Sequence, residues 1–219
     1  MRRLVLIDLD DTLISRHGAM TAWVARFSAD RQLTPEAAQF VENVLRDRAQ
    51  PETFDVVRDH LRLPESSAEL WSAYVAGIAA RVACAAGTLS RLDLLRAAGW
   101  SVGVLTNGAS DIQRAKLSAA KILDHVDAVC ISEETRARKP DPEAFRTAAA
   151  RCGFMLPADA WMVGDNPETD IAGASAAGLR TVWVSAGGTW ATPGLAPDHI
   201  SPTVVEALDF LLGRPESTR

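Results

Sequence analysis

Cysteines are few in this chain, and long apolar runs are absent. Among its 219 residues only Cys84, Cys130 and Cys152 carry thiols, and their spacing fits neither a metal-ligand cluster nor a redox pair. We therefore expect buried free thiols in a reducing compartment. The apolar run at residues 4–7 ends at Asp8, far short of the roughly 20 apolar residues that cross a membrane. On this pattern we expect no signal peptide, no membrane partner and a cytoplasmic protein.

An excess of positive charge is also lacking. Lys and Arg total 23 against 28 Asp and Glu, which gives a net charge of -5. Because nucleic-acid binding generally needs clustered cations to meet the phosphates, we expect no nucleic-acid partner. A small anionic ligand is compatible with this charge, since a local cation or metal ion can outweigh the net value. The hydrophobic fraction of 47% is ordinary for a globular protein, and the length suits one large domain with a small accessory one.

Short aliphatic runs alternate with helical patterns over most of the chain. Strands are predicted at residues 4–7, 102–105, 128–131, 161–163 and 181–184, and helices at 89–98, 111–122, 142–152, 168–177 and 203–212. Such alternation predicts the α/β class, with a Rossmann-like parallel sheet and helices on both of its faces. A Gly- and Pro-rich stretch at residues 186–197 is predicted to be a loop.

The segment that follows the first strand shows no strand pattern. Thr34-Pro35-Glu36 combines an N-cap, a proline at the first helical position and an acid in the first turn. Pro51-Glu52 and Pro64-Glu65 repeat this type of helix start, and apolar residues recur between them at helical spacing. We therefore predict an all-α unit of four helices at about residues 15–84, inserted into a core made of residues 1–14 and 85–219.

Polar side chains follow three of the predicted strands at the point where each one ends: Asp8 and Asp10, Thr106 and Asn107, and Asp165 and Asn166. In parallel sheets, ligands bind beyond the carboxyl ends of the strands, so these residues should converge on one site. Three carboxylates that lie close together repel one another, and a hard divalent cation removes that repulsion. Magnesium prefers oxygen ligands and shares them readily with a substrate phosphate, so Mg²⁺ is the predicted cofactor.

Donor groups suited to a phosphate accompany these carboxylates. The Thr106 hydroxyl and the backbone N–H groups of Asn107 and Gly108 stand where a helix is about to begin, which is a favourable place for phosphate oxygens. Lys139 follows a loop and precedes Pro140, whose ring stiffens the approach of the lysine to the site. Its ammonium group could stabilise both a carboxylate and a phosphoryl oxygen as a point charge.

Over nearly its whole length the chain resembles the haloacid dehalogenase superfamily of hydrolases, which use an aspartate nucleophile. Four motifs carry the resemblance: Val5-Leu6-Ile7-Asp8-Leu9-Asp10-Asp11-Thr12-Leu13, Val104-Leu105-Thr106-Asn107-Gly108, Arg138-Lys139-Pro140-Asp141-Pro142, and Gly164-Asp165-Asn166-Pro167-Glu168-Thr169-Asp170. The resemblance implies an α-helical cap at residues 15–84 that closes over the site, excludes water and sets specificity.

The resemblance also implies a role for each residue. Asp8 would attack phosphorus and form an aspartyl-phosphate, and Asp10 would protonate the leaving oxygen and later deprotonate water. Thr106 and Lys139 would hold the transferring group, and Asp8, Asp165 and the backbone carbonyl of Asp10 would bind Mg²⁺. The remaining implied roles are orientation of the metal ligands by Asp170 and Asn166, and contact with the substrate by Asn107, Gly108, Arg16 and His17.

Several reactions occur in this superfamily, and the residues discriminate among them. Asp10 and Asp165 favour phosphoryl transfer over dehalogenation, and the absence of lysine from residues 15–84 excludes the Schiff-base chemistry of phosphonate hydrolases. A phosphomonoester hydrolase is therefore expected. A phosphomutase and a catalytically retired protein that binds a phosphorylated ligand stay open. The expected substrate is a small phosphorylated metabolite, namely a sugar phosphate, a nucleotide monophosphate or a phosphoglycolate-like acid, and the protein could be a monomer or a homodimer.

Overall fold

Within residues 3–46, 49–156 and 159–214, which the computed structural model describes, one sheet of six parallel strands is formed. The strands are β1 (Arg3–Ile7), β2 (Trp100–Thr106), β3 (Ala128–Ile131), β4 (Ala160–Gly164), β5 (Arg180–Val184) and β6 (His199–Ser201). Their order across the sheet is β3-β2-β1-β4-β5-β6, so the first strand lies in its interior. This sheet confirms the predicted α/β class with a Rossmann-like parallel core.

Helices cover both faces of the sheet. They are α1 (Arg16–Asp30), α2 (Pro35–Arg46), α3 (Thr53–Leu61), α4 (Ser67–Ala79), α5 (Thr88–Ala97), α6 (Ser110–Ala119), α7 (Ser132–Thr135), α8 (Pro142–Arg151), α9 (Gly173–Ala176) and α10 (Val204–Leu212). Because side chains alternate along a strand, Val5 and Ile7 of β1 join one apolar cluster with α5 and α10, while Leu4 and Leu6 join a second cluster with α8 and α9. The sheet therefore separates two apolar cores.

Helices α1 to α4 occupy the segment between β1 and α5, as the sequence predicts for a stretch without strands. Their shared core is aromatic: Tyr74 meets Trp23 edge-on with ring centroids 4.9 Å apart, and Phe54 lies 5.3 Å from Tyr74. Helix α4 packs against α6, and the Trp71 indole donates a hydrogen bond of 2.5 Å to Asp111 across that contact. The longest of these helices, α1, has 15 residues, and no described helix has the length and apolar character that crossing a membrane requires.

Several elements differ from the sequence pattern, among them the short helix α7, which the pattern does not predict. Strand β6 has only three residues and no aliphatic run, so it becomes a strand through its pairing with β5 rather than through its own composition. The helix predicted at 168–177 is a π-helical segment, Pro167–Ala172, followed by the short α9. The Asn166 carbonyl accepts hydrogen bonds from the N–H groups of both Asp170 and Ile171, which widens this turn.

Candidate active site

The carboxyl ends of β1, β2 and β4 bring three of the predicted site residues to one edge of the sheet. Strand β1 pairs with β2 on one side and with β4 on the other, so that Ile7 is level with both Val104 and Val163. Asp8 directly follows β1, Thr106 ends β2, and Asp165 directly follows β4. The parallel topology thus assembles residues that are far apart in the chain.

Lys139 lies at the centre of this edge. Its Nζ is 2.5 Å from Asp8 Oδ1 and 2.6 Å from Asp170 Oδ1, and its side chain is only 2% exposed. Asn107 fixes the lysine from the side, because its amide accepts from the Lys139 N–H at 3.0 Å and donates to the Lys139 carbonyl at 2.9 Å. Burial alone would lower the pKa of Lys139, but the carboxylates of Asp170 and Asp8 raise it overall. The lysine is therefore a permanent cation in the site.

Three carboxylates cluster at this edge, and two of them contact Lys139. Oxygens of Asp8, Asp165 and Asp170 lie within 4.8 Å of one another. Burial raises the pKa of Asp8 well above its ordinary value; the charge of Lys139 opposes this rise, and the charges of Asp170 and Asp165 add to it. Burial, followed by the charge of Asp170, raises the pKa of Asp165 to about 6. One lysine does not neutralise three acids, so the donor set fits a hard divalent cation with oxygen ligands.

The π-helical turn places Asp170 inside this cluster. Its Oδ1 meets Lys139, and its Oδ2 accepts from the Asn166 N–H at 3.1 Å. A Cβ on Gly164 would lie 2.3 Å from that Oδ2, so only glycine leaves room for the carboxylate. Both oxygens of Asp170 are thus engaged by protein donors. Asp165 accepts one hydrogen bond on Oδ1, of 3.1 Å, from the Thr12 hydroxyl, a contact that sequence reasoning does not anticipate.

The Asp10 side chain lies outside the carboxylate cluster. Instead it contacts Lys116 Nζ at 2.8 and 2.9 Å and the Gln113 amide nitrogen at 3.0 Å, both on α6. Sequence reasoning misses these two partners, although a signal exists: Gln113 and Lys116 share the buried face of α6 with Ile112 and Leu117, where apolar residues are expected. We expect the backbone carbonyl of Asp10, rather than its side chain, to contact the metal. The contacts of the side chain do not test this expectation, so it stays a prediction.

One backbone donor in the second motif, residues 104–108, has a different partner from the one that the sequence predicts. The backbone N–H of Gly108, expected to meet a phosphate, donates to the Ser132 hydroxyl at 3.1 Å. The Asn107 side chain is occupied by the Lys139 backbone, although Asn107 and Gly108 both line the cavity above the site. The Thr106 hydroxyl accepts from the Gln113 amide at 2.5 Å and also faces this cavity.

A cavity of about 220 Å³ opens above these residues. Helices α1 and α4 contribute Arg16 and Tyr74 to its wall. Arg16 donates to the carbonyls of Arg46 and Leu45 at 2.8 and 3.0 Å, which fixes its guanidinium at the end of α2. His17 is exposed and does not line the cavity; its backbone N–H donates to Asp11 Oδ1 at 2.8 Å. The structure therefore brings Arg16, and not His17, to the site.

The fold and the site define a haloacid dehalogenase (HAD)-like hydrolase. A family model for haloacid dehalogenase-like hydrolases matches residues 2–178. Over 202 residues the chain is 31% identical to a phosphoglycolate phosphatase of Cereibacter sphaeroides. The matched region covers 89% of this chain and 90% of that protein. The chain belongs to this family, and the resemblance seen in the four motifs is confirmed.

Other comparisons cover different shares of the chain. A phosphoserine phosphatase of Thermus thermophilus is 45% identical over 103 residues, which are 47% of this chain and 41% of that protein. The chain thus matches less than half the length of several relatives. A crystal structure of a HAD phosphatase from Thermococcus onnurineus superposes with a TM-score of 0.70 at 26% identity and covers 96% of this chain and 98% of that one.

Proposed function

We propose that the chain is a magnesium-dependent phosphomonoester hydrolase that transfers the phosphoryl group through Asp8. The observation that carries this proposal is the position of Asp8 at the end of β1, paired with the buried Lys139 beside Asp165 and Asp170 and facing the cavity. The phosphatase names of the relatives agree with phosphoester hydrolysis.

The proposed reaction has two steps, transfer of the phosphoryl group to Asp8 and hydrolysis of the resulting intermediate. An oxygen of Asp8 forms a bond to phosphorus as the bond from phosphorus to the ester oxygen breaks, and Asp10, which enters this step protonated on one oxygen, gives that proton to the leaving alkoxide. Water then attacks phosphorus and releases Asp8, while Asp10 takes the water proton back. Lys139 stays charged throughout and stabilises the carboxylate and the transferring oxygens, and Thr106 holds a phosphoryl oxygen through its hydroxyl.

The acidic cluster would hold the magnesium ion. Asp8, Asp165 and the backbone carbonyl of Asp10 are the proposed ligands, and Asp170 and Asn166 orient them, because both Asp170 oxygens already accept from protein donors. When bound, Mg²⁺ screens the repulsion between the attacking carboxylate and the phosphate dianion. Besides burial, the charges of Asp170 and Asp11 raise the pKa of Asp165, and such a concentration of negative charge supports this assignment.

Asp165→Asn tests the metal site without requiring a substrate. We expect the variant to melt at a higher temperature than the parent in EDTA, because it removes a buried charge and relieves repulsion with Asp170 while the Asn oxygen keeps the Thr12 hydrogen bond. Relief of about 1 kcal/mol corresponds to about 2–4 °C in a chain of this size. Magnesium should raise the melting temperature of the parent and leave that of the variant unchanged.

The control for this experiment is Asp59→Asn, an identical change at a carboxylate that is 68% exposed on α3. It should respond to magnesium as the parent does. An Asp165→Asn variant that is still stabilised by magnesium would contradict the proposed ligand set.

We further propose that α1 to α4 form a cap domain over the core, with residues 15–84 as the cap and residues 1–14 and 85–219 as the core. The cap supplies Arg16 and Tyr74 to the cavity, and the core supplies the carboxylates. The cavity volume of about 220 Å³ lies below the about 300 Å³ at which typical ligand pockets begin. A small phosphate ester, such as a phosphoglycolate-like acid, therefore fits this site better than a nucleotide monophosphate does.

Arg16 favours a substrate with a second negative charge. It forms no ion pair with any described residue, and its nitrogens meet only the two carbonyls at the end of α2. Burial raises the pKa of Tyr74 to about 12, so its hydroxyl stays protonated and able to donate at neutral pH. A cation and a neutral donor above the phosphate site together suit a carboxylate.

Arg16→Gln should therefore change substrate preference. We expect kcat/KM for 2-phosphoglycolate, divided by kcat/KM for 2-hydroxyethyl phosphate, to fall about 10-fold, the effect of one charge-assisted hydrogen bond. The two esters differ in their carboxylate but hardly in size. Arg26→Gln on α1, whose arginine is 70% exposed, is the matched control and should keep the parental ratio. An unchanged ratio in Arg16→Gln would contradict recognition of a carboxylate by Arg16.

Phosphate release from a panel of phosphomonoesters, including p-nitrophenyl phosphate, tests the proposed function itself. Turnover with magnesium that is abolished by EDTA and by Asp8→Asn would support the phosphatase. Absence of turnover in folded protein with magnesium would contradict it and would favour a mutase or a binding-only protein.

A further inference from the structure

The carboxylate of Asp10 rests on a buried polar network that the proposed function does not use. Lys116 Nζ contacts both carboxylate oxygens, at 2.8 and 2.9 Å, and the Gln113 Oε1 at 2.7 Å. The Gln113 Nε2 is 3.0 Å from Asp10 Oδ2 and 2.5 Å from Thr106 Oγ1. Gln113 therefore links Asp10, the proposed general acid and base, to the Thr106 hydroxyl that would hold the phosphate.

Packing alone does not explain this network. Lys116 is 3% exposed and Gln113 is 1% exposed, on the face of α6 that turns towards the core. A buried charge is costly unless it is paired, and an apolar residue of similar volume is generally as stable or more so. Among the described residues, Asp10 is the carboxylate with which Lys116 pairs. The charge of Lys116 is thus directed at one side chain, which faces the cavity.

The backbone also accommodates the network. A Cβ on Gly108 would lie 2.8 Å from Gln113 Cγ and 2.9 Å from Gln113 Cδ. Glycine at the end of the second motif therefore leaves the space through which the Gln113 side chain reaches Thr106 and Asp10. The Gly108 N–H already donates to the Ser132 hydroxyl. The contacts therefore support one structural reason for glycine at this position, which is the room that it leaves for the Gln113 side chain.

We propose that Lys116 is a positioning residue for Asp10, and that Gln113 couples this position to Thr106; the inference rests on the proposed function. Contact with both oxygens fixes the rotation of the Asp10 carboxylate about its side-chain bonds. A group that transfers a proton to a leaving oxygen must be held within hydrogen-bond reach and in one orientation. Lys116 also lines the cavity, but its Nζ is hydrogen-bonded to Asp10 and Gln113, so we assign its action to Asp10.

A double-mutant cycle tests this proposal, with Lys116→Met and Asp10→Asn as the single changes. In the parent background, Lys116→Met should lower kcat for an alkyl ester such as 2-hydroxyethyl phosphate about 10- to 100-fold, with KM changed less than about 3-fold. In the Asp10→Asn background, the same change should cost less than about 3-fold, because the group that Lys116 positions is already disabled.

The leaving group supplies a second measurement. p-Nitrophenolate leaves with little help from an acid, so Lys116→Met should lower kcat for p-nitrophenyl phosphate several-fold less than kcat for the alkyl ester. A lysine with a merely structural role would lower both values equally. Lys116→Arg retains the charge and should recover part of the loss. Lys121→Met removes an exposed lysine that lies two residues beyond the end of α6, and this control should match the parent.

The outcomes are distinct. Equal losses in both backgrounds, or equal losses for both leaving groups, would overturn the proposal for Lys116 even when the parent is an active phosphatase. If Lys116→Met does not fold, as judged by thermal melting, Lys116→Gln, which also removes the charge, takes its place in the same cycle. A folded parent without turnover of p-nitrophenyl phosphate would instead contradict the proposed function and, with it, this inference.

Discussion

Asp8→Asn is expected to lower phosphate release by about 10⁴-fold or more, the scale seen when a nucleophile is removed from an enzyme. Asparagine preserves the shape of the side chain but has no carboxylate to attack phosphorus. The variant should remain folded, because Lys139 keeps its contact with Asp170 and a buried acid with a raised pKa is removed. Its melting temperature in EDTA should therefore be equal to or above that of the parent.

The matched control for Asp8→Asn is Asp11→Asn. Asp11 has a positive φ of 57°, a conformation that asparagine tolerates well, and its carboxylate accepts from the His17 N–H, which an amide oxygen can also do. Phosphate release by this control should stay within a few-fold of the parent. Activity that survives in Asp8→Asn would exclude Asp8 as the nucleophile.

Lys139→Met should have the largest effect on stability. The change leaves Asp8 and Asp170 without their shared cation, and removing one partner of a buried ion pair typically costs about 3–5 kcal/mol. At about 2–4 °C per kcal/mol, the metal-free protein should melt about 6–20 °C lower. Phosphate release should also fall by several orders of magnitude, because Asp8 and the transferring oxygens lose the same charge.

The loss of stability in Lys139→Met should depend on pH. The pKa of Asp8 is already raised in the folded state, and removing the lysine raises it further, so the folded variant binds more protons than the unfolded chain. Its stability therefore falls as pH rises through that interval, and the deficit relative to the parent should be larger at pH 8 than at pH 5. Adding Asp170→Asn should restore part of the stability, whereas a deficit that is independent of pH would contradict this account of the cluster.

The sequence predicts the sheet and the location of the site because both follow from short-range patterns. Aliphatic runs mark five of the strands, and in a parallel sheet the polar residues that end β1, β2 and β4 must lie on one edge. The convergence of Asp8, Thr106 and Asp165 can therefore be inferred before any contact is known.

The parts that the sequence does not predict depend on contacts between distant segments. Strand β6 exists because β5 offers it a partner, and its own three residues carry no strand pattern. The π-helical turn depends on two hydrogen bonds to one Asn166 carbonyl, whereas the residue pattern there resembles an ordinary helix start. Local propensity describes neither case.

The surroundings of Asp10 show the same limit. Position alone identifies it as the acid two residues after the nucleophile, but nothing in the first motif indicates that its side chain meets Lys116 on α6. Similarly, Gly108 directs its N–H to Ser132 rather than to the cavity. The roles of polar residues near a site depend on which donors are already engaged, and that is decided by tertiary contacts.

Chemical trapping of the phosphorylated enzyme tests the central claim most directly. Borohydride reduces an acyl phosphate on aspartate to homoserine, so the protein should be mixed with substrate and magnesium, quenched, reduced, digested and sequenced by mass spectrometry. We predict homoserine at position 8 in the parent, and none without substrate or in Asp8→Asn. Continued phosphate release with unmodified Asp8, or homoserine at another aspartate, would contradict transfer of the phosphoryl group through Asp8.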